Sequence, residues 1–355
     1  MKKKIIKYPK NFGVMADPRS LEEKSRDFIF GVDNGVAKIV LNTLCNWMLY
    51  FGDSEPQYSR YSDFMDCVSE SLHFVVEITL NLMISLSMIS QENIDWLKVN
   101  GYFGADNKVH LSVRHLAKMS GTTKLGNYQW KVADTARHFG FIPESKWPSN
   151  DMEMSWDEYY KEIPQELVDL GVEFSKRFII NYEFVYTTNH DLIKQSLQYS
   201  PMQVLGYAWP RPVNDIYPAS PNQHNHAFVS MQENFDESLR YIKDSYPDYY
   251  SPQNPQPYYK KLAWDYIFGS QGVVVYINAQ NTNQINLNAM EFINTHQNKL
   301  IQNTKDGQFG IIVGDKLLVA DKERAGQLAL TALTRNGFGL GITDELWESL
   351  PKQEF

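Results

Sequence analysis

The sequence predicts an α+β fold arranged in two lobes, and three observations carry that expectation. The first half is written in helical periodicity, with apolar residues at three- and four-residue intervals. From Arg177 onward the texture changes to short β-branched and aromatic runs separated by loops rich in Pro, Asn and Tyr. The 355 residues are 43% hydrophobic and 14% aromatic, ample for a sizeable core and far from the composition of a disordered chain. Helices first and strands second imply a cleft between the two kinds of lobe.

Taken in order, Phe28 to Phe51 is apolar with helical spacing (Ile39, Val40, Leu44, Trp47, Met48) and ends in Gly52-Asp53-Ser54-Glu55-Pro56. Cys67 to Ile89 is the strongest helix. Val68, Leu72, Val75, Thr79, Leu82, Met83 and Leu86 form one stripe, with Glu70, His73 and Glu77 off it, so that His73 is expected at the surface. Leu111 to Pro148 reads as helices joined by the turn Ser120 to Asn127, and Glu158 to Leu170 as another helix. Strands are expected at Arg177 to Thr187, Met202 to Trp209, His226 to Met231 and Val273 to Ala279. Near the end, Phe309 to Val319 has the pattern of a hairpin with a Gly314-Asp315 turn, and Glu323 to Thr334 that of an Ala/Leu-rich helix stopped by Arg335-Asn336-Gly337.

The charge balance, 34 Lys+Arg against 42 Asp+Glu for a net −8, argues against a nucleic-acid partner, which needs a basic face. Lys2-Lys3-Lys4 opens like a signal peptide, but Lys7, Pro9 and Lys10 interrupt the apolar stretch of about 7–15 residues that would have to follow. Phe74 to Ile89, carrying Glu77, Asn81, Ser85 and Ser87, falls short of the roughly 18–20 apolar residues of a bilayer span. A soluble protein without a membrane partner is the expectation. Two cysteines, Cys45 and Cys67, exclude a disulfide framework and suit a reducing compartment.

No Walker-type loop, Gly-x-Ser-x-Gly elbow or Cys-x-x-Cys pair occurs. Cys67 opens the apolar helix, where unpaired backbone N–H groups and the positive end of the dipole favour a thiolate. His226 enters a β-like run 159 residues later, and Asp244 follows after a further 18. These are the types that nucleophilic catalysis needs: a thiol, an imidazole that takes and returns its proton, and a carboxylate that orients the ring.

The order of these pieces resembles the papain-like cysteine peptidases from about Asp53 to Ala279. A cysteine opens a long helix, Leu111-Ser112 and Ser120-Gly121 follow, then Ala133 to Gly140 with Pro143-Glu144 and Trp147-Pro148. Ile193 to Leu197 leads to Pro201-Met202-Gln203-Val204. Asn225-His226-Ala227-Phe228-Val229 comes next, and Ile242-Lys243-Asp244-Ser245-Tyr246 stands in place of the family's Lys-Asn-Ser-Trp. Gly269-Ser270-Gln271-Gly272 leads into a last strand. The wording around Cys67 is more similar to divergent phage and viral members than to secreted enzymes.

The resemblance implies a two-lobe fold over residues 53–280, with an N-terminal extension at 1–52 and a C-terminal hairpin and helix extension at 281–355. It implies a cytoplasmic or virion-associated peptidase acting on polypeptide amide bonds without cofactor or metal, with other proteins able to bind the extensions. Cys67 would be the nucleophile, His226 the base and then acid, and Asp244 its anchor, in place of the family's Asn. The Cys67 N–H, with Gln57, would bind the oxyanion. Ser120, Gly121 and Asn225 would line the substrate cleft. The Cys-Gly-Ser-Cys-Trp signature is absent, replaced by Asp66-Cys67-Val68-Ser69, and the Cys-to-His interval exceeds the usual 130–150 or so. Gln57, ten residues before Cys67, is further away than the family's glutamine, which implies a short insertion if it is the donor.

Other readings compete. His224 and His226, on one face of a strand with Asp215 or His190 added, could hold zinc. Cys45 reads as core, and His110, His115 and His138 lack carboxylate partners in sequence. Tyr246 to Tyr259 reads as an insertion covering the cleft edge or as a recognition loop. The same fold could also serve as a retired structural module of a virion or other assembly, or act as an acyltransferase, amidase or peptidoglycan hydrolase.

Overall fold

The computed structural model describes residues 12–279, apart from 26, 32–37, 51–55, 221, 249 and 251–257, together with five strands further along the chain. Two compact units are formed, residues 1–37 with 41–281 and residues 38–40 with 282–355.

In the first unit, a short helix α1 (Leu21–Lys24) is started by a capping box between Ser20 and Glu23. The helix expected over Phe28 to Phe51 is absent from the described part of that span. Phe28 and Phe30 instead hydrogen-bond to Phe184, Trp47 N–H donates to the Met231 carbonyl, and only a 3₁₀ turn at Met48–Tyr50 is helical. The reason is local. Asn42 and Asn46 side chains accept from the N–H groups of Leu44 and Met48, which turns the backbone away from a helical path. Cys45 is buried as expected, but in a turn with φ 54° rather than within a helix.

Helices α2 (Cys67–Ser85), α3 (Gln91–Val99), α4 (Val113–Met119) and α5 (Gln129–Phe139) follow, then α6 (Trp156–Tyr159) and α7 (Gln165–Arg177). The single helix expected at Glu158 to Leu170 is split because Pro164 excludes helical backbone before it and becomes the cap of α7. Strand β1 (Phe178–Tyr186), helix α8 (His190–Ser196) and strands β2 (Met202–Gly206), β3 (Ile216–Tyr217), β4 (His226–Asn234), β5 (Leu239–Lys243), β6 (Tyr259–Ala263) and β7 (Gln271–Ala279) complete the unit. Their sheet has the order β1-β7-β2-β4-β5-β6-β3, antiparallel except at β3–β6. The α+β expectation therefore holds.

Helix α2 is the centre of this unit, packed on β2, β4 and β7 and on α4 and α5. It is long and apolar enough to cross a membrane, contrary to the shorter estimate from sequence, but its residues fill the protein interior. Being covered on several sides, it also buries the residues expected on a wet face. Glu77 accepts the Leu111 N–H at 2.8 Å, and His73 Nε2 bonds the Leu111 carbonyl at 2.6 Å. His73 is thus a core residue, 0% exposed, that ties α2 to the chain entering α4. His110 and His138 do have carboxylate partners one helical turn away in sequence, Asp106 at 2.8 Å and Asp134 at 3.4 Å.

His115, wholly buried in α4, has its pKa pushed down to about 4 by burial. The unfolded chain binds a proton near the ordinary 6.5 while the fold refuses it, so stability is intact above that pH and falls as pH drops towards 4. Denaturant titrations should show about 3 kcal/mol of acid-dependent loss over this window that His115→Leu removes.

The second unit contains β8 (Leu300–Asn303), β9 (Phe309–Val313), β10 (Lys316–Ala320), β11 (Leu340–Ile342) and β12 (Lys352–Glu354), in the order β11-β8-β9-β10-β12. Val313 pairs with Lys316 across the expected hairpin, while Gly314-Asp315, the expected turn, lie outside the described residues. The helix expected at Glu323 to Thr334, with its stop signal, lies outside the described residues.

Candidate active site

Cys67 is the first residue of α2, and the N–H of Ala227, the second residue of β4, lies close enough to its thiol to favour the thiolate. The nucleophile candidate therefore lies against the peptide that follows His226. His226 Nε2 is 2.5 Å from Asp244 Oδ1. The β4–β5 register sets Lys243 opposite Val229, so the chain leaving β5 runs beside the start of β4 and delivers Asp244 to the ring. The other ring nitrogen, Nδ1, is buried without a hydrogen-bond partner among the described residues. Phe12, Trp209 and Tyr246 wall the imidazole at centroid distances of 5.2, 5.8 and 5.5 Å.

Asp244 is fully buried and multiply bonded. Ser245 N–H donates to Oδ1 at 2.8 Å, and Lys260 Nζ to Oδ2 at 2.6 Å. Burial opposes its ionisation, but the charges and hydrogen bonds of Lys260 and His226 outweigh that and bring its pKa down to about 2.

Gln57 reaches the site despite its distance in sequence. Residues 58–63 form a small loop closed by the Phe64 N–H to Gln57 carbonyl bond and by the Tyr58–Asp63 bridge, which accounts for the long interval. The Gln57 amide is held by Ser245 Oγ at 2.7 Å. Its Nε2 donates to the Phe12 carbonyl at 3.1 Å and to Asp63 at 3.2 Å. Asp63 also accepts the Tyr246 hydroxyl, so the first residues of the Tyr/Pro-rich insertion belong to the site. Positions 249 and 251–257 of that insertion lie outside the described residues.

Residues 12–15 of the chain lie over the candidate site. Phe12 N–H donates to the Asn225 carbonyl, Asn127 N–H to the Gly13 carbonyl and Met15 N–H to the Asn127 carbonyl, all at 2.9 Å. Residues 12–15 thus bridge the α4–α5 turn and the edge of β4. The approach is close at two glycines. A Cβ on Gly13 would stand 2.2 Å from the Met65 carbonyl oxygen, and one on Gly126 would stand 1.9 Å from that of Gly13. Asn225, expected to bind substrate, meets this segment through its carbonyl. Ser120 and Gly121, by contrast, close α4, with the Asn127 side chain bonded to Ser120 Oγ at 2.8 Å. The backbone that meets the cleft segment is Gly126-Asn127, displaced along the same turn. A cavity of about 640 Å³ opens beside the segment, with Met15, Arg19, Trp130, Leu205, Gln223 and His224 among its walls.

With the cleft closed, Cys67 and His226 are each 0% exposed. The thiol expected to be acidified at a helix N-terminus is instead raised well above its ordinary pKa. Burial is the main cause, the Ala227 N–H works against it, and the carboxylates of Asp66, Asp63 and Asp244 add to the rise. Among the described residues no three of His, Cys, Asp and Glu gather as metal ligands. His224 lies in the loop before β4, and His190, raised as a third zinc ligand, bonds Glu233 at 2.7 Å.

Sequence reading missed Phe12, Asp63, Asn127 and Lys260. For Lys260 a signal existed: alternation along β6 puts it on the same face as Leu262, the face that is buried.

No protein-family model matches the chain, and no curated protein matches it. Among solved structures it is similar to xylellain, a cysteine protease from Xylella fastidiosa, at 13% identity, 78% of this chain and 100% of that one, with a TM-score of 0.49. It is also similar to digestive procathepsin L 3 of the Tenebrio molitor larval midgut, at 10% identity, 70% and 73% coverage and a TM-score of 0.42. For a Carica candamarcensis cysteine protease in complex with E-64 the figures are 13%, 65% and 96%, and 0.40.

Proposed function

We propose that the chain is a papain-like cysteine peptidase whose cleft is closed by residues 12–15. The observation that carries this reading is the imidazole of His226. It is anchored through Nε2 to Asp244, and its Nδ1, buried without a hydrogen-bond partner among the described residues, is left as a base for the helix-opening thiol. His226 Nδ1 takes the Cys67 proton as Sγ attacks the carbonyl carbon, and the carbonyl electrons move onto the oxyanion. The Cys67 N–H and Gln57 Nε2 bind that oxygen. Collapse expels the amine, which receives the proton from His226, and leaves a thioester. Water, deprotonated by His226, then releases the acid.

An extended polypeptide suits the cleft because Asn225 and Asn127 present main-chain donors and acceptors that residues 12–15 now satisfy. Chemistry requires those residues to withdraw, since the Phe12 carbonyl occupies the Gln57 donor and the closed site holds the thiol protonated. Incubation with an unstructured polypeptide, read by mass spectrometry, tests the reading. Cleavage is expected, falling by about 10⁶ in Cys67→Ala and in His226→Gln. Cleavage that survives Cys67→Ala contradicts it.

One observation favours a second reading, that of a retired fold with a permanently filled cleft: Phe12 is itself a core residue, 1% exposed. In that case Cys67 stays unreactive even when Phe12 is truncated.

A further inference from the structure

We propose that Lys260 is a positioning residue of this site: its buried ammonium cancels the charge of Asp244 felt by Cys67 and His226 and fixes the chain that follows β5. The inference rests on the peptidase reading for its function, though not for its test. Lys260 is 1% exposed, donates to Asp244 Oδ2 at 2.6 Å and to the Tyr246 carbonyl at 2.7 Å, and lies 5.1 Å from the Trp209 ring centroid. The β5–β6 register, with Ile242 opposite Lys260, sets it there.

The other titratable groups around the pair include Asp63 and Asp66 ahead of α2, Tyr246 after β5, Tyr258 just ahead of β6 and Tyr266 after β6. Lys243, at the end of β5, lies 4.0 Å from the Phe74 ring centroid on α2. Three carboxylates thus oppose thiolate formation at Cys67, and Lys260 neutralises the one that also anchors the imidazole. It lets Asp244 orient His226 without adding a full negative charge against the thiolate.

The test uses the full chain with Lys260→Met, Lys260→Arg and the double variant Lys260→Met/Asp244→Asn. The first readout is the pH midpoint of Cys67 alkylation by iodoacetamide, mapped by mass spectrometry. The second is the far-downfield NMR resonance of the His226 Nε2 proton, which needs neither turnover nor an open cleft. Lys260→Met is expected to raise the alkylation midpoint by about one pH unit and move the resonance downfield, and Lys260→Arg to restore both. The double variant, with both charges gone, is expected to return to the wild-type midpoint. If Lys260→Met does not fold, the double variant decides, and a shifted midpoint there overturns the proposal. An unchanged resonance in folded Lys260→Met also overturns it, whereas absent peptide cleavage counts only against the peptidase reading.

Discussion

Phe12→Ala is expected to raise the rate of Cys67 alkylation at neutral pH by about two orders of magnitude. The Phe12 ring packs 5.2 Å from both His226 and Tyr246, and its backbone spans from the Asn225 carbonyl to Gln57. Truncating a buried phenylalanine costs about 3–5 kcal/mol, and each 1.4 kcal/mol or so is a factor of ten in population. Most of that loss falls on the docking of residues 12–15, because the ring is what they contribute to the core. The open population then grows by about 10² or more, and in it the thiol regains water and escapes the main cause of its raised pKa. Timed alkylation followed by peptide mapping measures the rate. An unchanged rate would mean that the segment does not gate the site, and would favour the retired fold.

The second large effect is on stability. Asp244→Ala is expected to cost about 3–5 kcal/mol at neutral pH, because it strands the Lys260 ammonium in the core. The pH dependence has a definite sign. The folded pKa of Asp244, about 2, lies below the ordinary 3.8, so its ionised form contributes stability that is complete above the higher value and is lost as pH falls through the lower. Over that interval wild type should lose about 2–3 kcal/mol that the variant does not, and the gap between them narrows. Urea titrations of both proteins across the interval give the comparison. A gap that is small at neutral pH would show that Lys260 finds other partners.

The chain order of the candidate site was legible because the chemistry proposed for it is carried by rare types at element boundaries. A cysteine opening an apolar stripe and a histidine entering a β-branched run are both local features, and both lie where expected. What joins them is not local. The closure of residues 58–63 that brings Gln57 within reach depends on main-chain pairing, the Phe64 bond to Gln57 and the Tyr58–Asp63 bridge. The filled cleft depends on Gly13 and Gly126 allowing backbones to touch. Neither leaves a periodic trace. Helical spacing misled over Phe28 to Phe51 because two asparagines redirect the backbone. It also misplaced His73, since a helix covered on several faces buries polar residues that a stripe would put in water.

The central claim, that Cys67 and His226 act as one nucleophilic pair, is tested most directly by treating the Phe12→Ala protein with a peptidyl epoxide and mapping the adduct. The account predicts a thioether on Cys67 whose rate of formation falls by about 10³ when His226 is also changed to Gln. An adduct on Cys45, or one on Cys67 that forms equally fast without the imidazole, would contradict it.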